Sequence, residues 1–171
     1  MIKLHLGCGG NILENWINTD VSTIDIRNTL PYDNNSVDCI FLEHVLEHVD
    51  SSEAFRFIDD AYRVLKVGGK IRIAVPSVVS IFNKYTDDYN KFVTLFTHKD
   101  ASLKNSIEAI ICLHGHKTIW DETILETILK CIGFKTNVTK HFSEDECFKE
   151  CISHKFNPNY IIETIAVEGT K

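Results

Sequence analysis

The chain has no apolar run of the roughly 20 residues that a membrane-crossing helix requires, so a membrane-spanning role is not expected. Its first residues, Met1-Ile2-Lys3-Leu4-His5-Leu6-Gly7, lack the layout of a secretory signal and look like a first strand, which predicts a cytoplasmic protein. There is no CxxC pair among Cys8, Cys39, Cys112, Cys131, Cys147 and Cys151. The nearest two, Cys147 and Cys151, have helical spacing, and all six read as reduced, small, buried hydrophobes. Positive charge is also short. Eighteen Lys and Arg against 24 Asp and Glu leave a net charge of -6, which argues against broad binding to nucleic acid or anionic membranes. A small-molecule partner is expected instead. Internal repeats and low-complexity linkers are missing, so 171 residues read as one domain, 1–171.

What is present is an alternation of short apolar strands and amphipathic helices. Ile2 to Leu6 runs into Gly7-Cys8-Gly9-Gly10, a buried strand leaving through a glycine-rich turn. Trp16 to Asp20 reads as a second strand ending in an acid, Thr23 to Ile26 as a weak third, and Val37 to Leu42 as another buried strand. Asp50 or Ser51 caps a helix with Glu53 in the capping-box position. Its apolar face is Ala54, Phe57, Ile58, Ala61, Val64 and Leu65, and Gly68-Gly69 stop it. Lys70 to Val75 is a strand. Asp121 caps a helix carrying Ile124, Leu125, Ile128, Leu129 and Ile132, ended by Gly133. Phe134 to Phe142 and Tyr160 to Val167 read as the last strands, with a short polar helix in Ser143 to Lys155. The pattern predicts an α/β layered fold on a mostly parallel sheet, with any ligand at the carboxyl ends of the strands.

Two features there carry chemistry. Glycines at a strand exit let backbone approach a ligand where a side chain would block it, although a tight turn needs them too. Asp20, closing the second strand, is placed to accept hydrogen bonds from ribose hydroxyls, as such an acid does in dinucleotide folds.

Four blocks in order give these features a family. Leu4-His5-Leu6-Gly7-Cys8-Gly9 resembles the first motif of class I S-adenosylmethionine-dependent methyltransferases. Asp25-Ile26-Arg27-Asn28-Thr29-Leu30-Pro31-Tyr32 with Asn35-Ser36-Val37-Asp38 is similar to the stretch leading into strand four. Phe41 to His48 is similar to the segment after that strand. Arg63-Val64-Leu65-Lys66-Val67-Gly68-Gly69 resembles the family's RVLKPGG, with Val67 where Pro is usual. His116-Lys117, the helix from Asp121 and Gly133-Phe134 look like the close of a small bacterial, type 11-like subfamily. The resemblance implies a three-layer α/β/α Rossmann-like fold, with a mostly parallel seven-stranded sheet and an antiparallel last strand inserted beside Phe134 to Phe142. It implies S-adenosylmethionine as cofactor, held by Leu6, Gly7, Cys8, Gly9, Asp20, Val21, Asp25, Glu43 and His44. Within that set Gly7 and Gly9 would face the methionine part and ribose, Asp20 the ribose hydroxyls and Asp25 the adenine. Glu43 and His44 would face the methionine end and the acceptor.

Departures and rivals bound that expectation. Asn11 holds the family's third glycine position, and the short span from Gly7 to Asp20 predicts a trimmed or missing first crossover helix. A nicotinamide fingerprint fails because Ile12 stands at its third glycine and Asp20 comes too soon. His44-Val45-Leu46-Glu47-His48 matches the inverted zinc-protease motif H-x-x-E-H, so a metal hydrolase is an alternative. The methyltransferase resemblance accounts for the same letters without a metal, and no metal is expected. Cys112, His114 and His116 lack a fourth ligand at obvious spacing. A non-catalytic, cofactor-binding regulatory protein of the same fold is a further alternative. If a general base is used, His44, His48 and His116 are the catalytic candidates, with His114 beside them, because imidazole titrates near working pH. Residues 80–115 read as an insertion over the acceptor site, with Phe82, Tyr85, Tyr89, Phe92 and Phe96 lining it or packing in the core.

Overall fold

The structure is a computed structural model that describes residues 1–77, 79, 115–139, 142–151 and 164–171. Six strands form one sheet: β1 (Lys3–Leu6), β2 (Ile17–Thr19), β3 (Val37–Glu43), β4 (Leu65–Pro76), β5 (Lys135–Thr139) and β6 (Thr164–Thr170). Their order is β2-β1-β3-β4-β6-β5. The first four are parallel neighbours, and β6 runs antiparallel to both β4 and β5. The fold is therefore the expected α/β class, with the antiparallel strand inserted between β4 and β5.

Two helices are described, α1 (Ser51–Val64) and α2 (Glu122–Ile132). Asp50 caps α1 as expected. Its Oδ1 accepts from the Glu53 amide at 2.9 Å, and Glu53 Oε2 accepts from the Asp50 amide at 3.0 Å. Ala54, Phe57, Ile58, Ala61 and Val64 pack against Leu4, Leu6, Ile40, Leu42, Ile71 and Ile73 on one face of the sheet. Each larger apolar side chain buried there contributes about 1.5–3 kcal/mol. α2 starts from Asp121, which accepts from Ile124 N at 2.8 Å, and ends at Gly133 with φ of 121°. Leu125 and Leu129 join the same core, while Ile124, expected there, faces solvent.

The opposite face holds a smaller cluster of Leu13, Trp16, Cys39, Phe41, Phe148 and Cys151. Alternation along β1 puts His5 on this face, stacked on Phe41 with ring centroids 4.9 Å apart. No helix links β1 to β2, as the short span required. Asn18 takes its place. Its amide group donates to the carbonyls of Leu13 and Trp16, at 2.8 and 3.0 Å. Its Oδ1 accepts from Leu13 N at 2.9 Å and lies 3.1 Å from His5 Nδ1.

Several expectations need correction. Among the described residues the sheet has six strands, not seven. Thr23 to Ile26 is not a strand, because the Asp20 carbonyl takes the amides of Thr23 and Ile24 and folds the chain into a turn. Gly68-Gly69 do not stop α1. Leu65 is already extended and pairs with Val37, and residues 66–69 form an irregularity within β4 before Cys39 pairs with Lys70. The described part of Ser143 to Lys155 forms bends and turns, with the Asp145 carboxylate accepting from Cys147 N and contacting Lys70. Cys39 and Cys147 are joined as a disulfide, so these two are not the reduced hydrophobes expected. Cys151 is a buried free thiol, and burial pushes its pKa up to about 12. Most of the expected 80–115 insertion, with Phe82, Tyr85, Tyr89, Phe92, Phe96, Cys112 and His114, lies outside the described residues.

Candidate functional site

Strand order places the site. The chain goes from β1 to β2 on one side and to β3 on the other, so the loops leaving β1 and β3 diverge and leave a crevice at their carboxyl ends. A cleft of about 450 Å³ lies there. Its lining comes from the β1 exit (Gly7), the β2 exit (Asp20, Val21, Ile24 to Arg27), the β3 exit (His44, Val45, His48, Val49) and Lys117.

Gly7 is needed for two reasons. Its φ is +67°, and a Cβ there would meet Val45 Cγ2 at 2.3 Å. The two diverging loops can touch only because position 7 carries no side chain. At the β2 exit the chain is turned by Asp20 and Thr23: Thr23 Oγ1 accepts from Asp20 N at 3.0 Å, and Asp20 Oδ1 accepts from Val21 N at 2.7 Å. The Asp20 carboxylate is exposed to the cleft with acceptor capacity to spare. Asp25 also lines it, held by Arg27 through contacts of 2.6–3.0 Å. Those hydrogen bonds hold the Asp25 carboxyl below the usual carboxylate range.

The predicted cofactor residues thus divide. Gly7, Asp20, Val21, Asp25 and His44 converge on the cleft. Leu6, Cys8, Gly9 and Glu43 are not part of its lining. Leu6 is fully buried in the core. Cys8 donates its amide to Thr19 O at 2.8 Å, and burial, aided by the Asp20 charge, pushes its thiol pKa up. Gly9 has φ of +48° and open space around it. Glu43 ends β3 with Oε1 buried and without a hydrogen-bond partner among the described residues.

Among the histidines, His44 is held firmly. Its φ is +53°, its Nε2 lies 3.0 Å from Thr164 Oγ1, and its Nδ1 lies 3.2 Å from Glu47 Oε1. His48 is exposed and lines the cleft, with His116 edge-on to it at 4.9 Å. His116 itself is not in the lining, but its neighbour Lys117 is. The inverted zinc-protease arrangement is not formed. That motif puts both histidines one turn apart on an α-helix, whereas only Leu46–His48 are helical here, as a single 3-10 turn, and His44 lies outside it in the left-handed region.

Sequence reasoning missed Ile24, Ile26, Arg27, Val45, Val49 and Lys117 in the lining. Val45 and Val49 could have been found from the β3 exit. Lys117 could not, since it reaches the cleft because its amide donates to the Glu47 carbonyl at 2.8 Å across a long sequence gap.

A sequence-family model described as a methyltransferase domain matches residues 10–73. Searching curated proteins returns no match. Among solved structures, a methyltransferase described as SAM-dependent from Archaeoglobus fulgidus is 18% identical with a TM-score of 0.54, covering 99% of this chain and 85% of that one. A putative methyltransferase from Haloferax volcanii, solved with the Trm112 activator, is 12% identical with a TM-score of 0.57, covering 99% and 81%. A Haemonchus contortus phosphoethanolamine N-methyltransferase, solved with phosphomonomethylethanolamine and S-adenosylhomocysteine, is 16% identical with a TM-score of 0.61, covering 100% of this chain and 49% of that one. The domain match covers residues 10–73, and the likeness to these structures shows that the chain has the Rossmann-like fold of such methyltransferases.

Proposed function

We propose that the protein transfers a methyl group from S-adenosylmethionine to a small-molecule or glycan-type acceptor. The observation that carries this reading is the meeting of the side-chain-free Gly7 turn and the exposed Asp20 carboxylate on one cleft at the crevice between β1 and β3. That combination suits a ligand with a ribose and a backbone-hugging tail. Gly7 would leave the backbone open to the ligand, Asp20 would accept from ribose hydroxyls, and Val21, Ile24 and Ile26 would flank the base. Bound there, S-adenosylmethionine supplies a methyl group already activated on a sulfonium sulfur.

The chain's own contribution is then positioning and water exclusion, which can supply about 7–11 kcal/mol of a barrier. An oxygen or nitrogen acceptor must also lose a proton. His48, exposed on the cleft wall, is the group placed to take it, with His44 and His116 close by. His44 is fixed between Thr164 and Glu47 and acts as the more rigid wall. Arg27 is engaged by Asp25, whereas Lys117 offers the cleft a second cation for a carboxylate or phosphate on a ligand. Among the described residues no helix is long and apolar enough to cross a membrane, which fits an acceptor met in solution. A small-molecule acceptor also agrees with the phosphomonomethylethanolamine in the Haemonchus structure.

Calorimetric titration of S-adenosylhomocysteine into the purified protein, with Asp20→Ala alongside, tests the reading. Micromolar binding that weakens about tenfold or more in the variant, about 1.4 kcal/mol, supports it. A well-folded wild type that does not bind overturns it.

A further inference from the structure

Glu47 is only 1% exposed, and neither of its carboxylate oxygens has a hydrogen-bond partner among the described residues. A buried carboxylate is retained only when something compensates its charge. What surrounds it is imidazole. His44 Nδ1 lies 3.2 Å from Oε1, and His116 Nε2 lies 3.9 Å from the same atom. His48, next in sequence, meets the His116 ring edge-on. One ligand atom each from Glu47, His48 and His116 falls within 4.8 Å of the others.

The backbone beneath this cluster is tied together. The Glu47 carbonyl accepts from the amides of Lys117 and Thr118, at 2.8 and 3.3 Å. Thr118 Oγ1 reaches the carbonyls of Leu46 and Val49, at 3.3 and 3.2 Å. Gly115, with φ of +74°, turns the chain so that position 116 arrives over the 3-10 turn. The three groups therefore come from two segments far apart in sequence that are strapped to each other at this point.

We infer that Glu47, His48 and His116 bind a divalent transition-metal cation, zinc by the chemistry of the donors. Two imidazole nitrogens and one carboxylate oxygen form the donor set of three-ligand zinc sites, which leave a fourth position open. Magnesium and calcium prefer all-oxygen shells. Zinc bonds of about 2.0–2.2 Å need the donors closer than they now lie, and a small rotation of exposed His48 and half-buried His116 provides this. His44, against Glu47 and anchored to Thr164, then orients the carboxylate from behind. This ligand set differs from the H-x-x-E-H pairing of His44 with His48. It also departs from the expectation of no metal, because His116 joins only through the fold. The site shares His48 with the cleft wall, where a bound ion takes the imidazole lone pair, so His48 serves as the base only in the metal-free chain; the site itself does not depend on the methyl-transfer reading.

The test uses the full chain, stripped with EDTA and dialysed. Zn²⁺ is titrated against a chromophoric chelator, and Co²⁺ binding is followed by its visible spectrum. One ion per chain is expected, with micromolar or tighter affinity, weakening at least about tenfold in His116→Ala and in Glu47→Gln (about 1.4 kcal/mol). The Co²⁺ spectrum should show ligand-field bands without a thiolate charge-transfer band. Should Glu47→Gln not fold, as judged by circular dichroism, exposed His48→Ala replaces it. Absence of binding, unchanged affinity in the folded variants, or a thiolate band from the cysteines overturns the site. S-adenosylhomocysteine affinity in the same preparation separates the two readings. Cofactor binding without zinc removes only the metal site, and zinc binding without cofactor removes only the methyltransferase reading.

Discussion

Gly7 and Val45 meet across the sheet's crevice so closely that a methyl group on Gly7 would sit 2.3 Å from Val45 Cγ2. Replacing Gly7 by Ala therefore imposes both a clash and an unfavourable left-handed backbone. We expect Gly7→Ala to lose about tenfold or more in S-adenosylhomocysteine affinity, about 1.4 kcal/mol. Adding Val45→Ala should recover part of it by removing the clash but not the backbone strain. Calorimetry on both variants checks this, and unchanged affinity in Gly7→Ala would show that the two loops do not shape the ligand site.

The paired Arg72 on β4 and Glu168 on β6 face each other in register, with Nη1 and Oε1 2.5 Å apart and Arg72 fully buried. Removing Glu168 takes away the carboxylate that pairs with the buried Arg72 guanidinium, which keeps the Thr139 hydroxyl at 2.6 Å. Glu168→Ala should cost about 3–5 kcal/mol, whereas the double change Arg72→Met with Glu168→Leu should cost far less. Urea melts of the three proteins decide it.

Acid sensitivity should trace in part to His5. Burial lowers its pKa below the usual 6.5, and it wins over the Asn18 hydrogen bond and the Glu43 charge, which both raise it. A base whose folded pKa is depressed is charged more readily in the unfolded chain. Its contribution is complete above about pH 6.5 and is lost as pH falls through the folded value. Denaturation midpoints should hold steady above that pH and drop below it. His5→Phe, which keeps a ring against Phe41, should flatten the drop. An equal drop in the variant would assign the sensitivity elsewhere.

Asp50 offers the simplest check on helix entry. Truncation to Ala removes the acceptor for Glu53 N and should cost about 1 kcal/mol, read as a lower thermal midpoint. Asp50→Ser should restore most of it.

The capping of α1 and α2, the Gly133 stop and the Gly7 turn were all legible in the sequence, because each depends on residues within a few positions of one another. Asp20 and His44 could be placed for the same reason, since both follow directly on a strand. Long-range register hides the rest. Nothing near Arg72 announces Glu168, and nothing in H-x-x-E-H says that Glu47 is buried while His48 is exposed. Lys117 reaches the cleft, and His116 the carboxylate, only through the amides that dock on Glu47 O. Thr23 to Ile26 misled because β-branched residues favour strands, while the local hydrogen bonds to Asp20 decided for a turn. Gly68-Gly69 misled because sheet pairing of Leu65 claims the backbone before those glycines are reached.

The far side of β1 has no crossover helix, and its cover comes from the other end of the chain. Glu150 accepts from Trp16 Nε1 at 2.6 Å and from Lys3 Nζ at 3.0 Å, over sequence separations of 134 and 147 residues. During synthesis the β1–β2 pair therefore emerges well before the residues that cover it. Until residue 150 has been made, Trp16 and Phe41 lack the Phe148 side chain that shields them. Pairings so distant in sequence close slowly, so assembly of this edge is expected to trail the packing of α1 and to set the pace of folding.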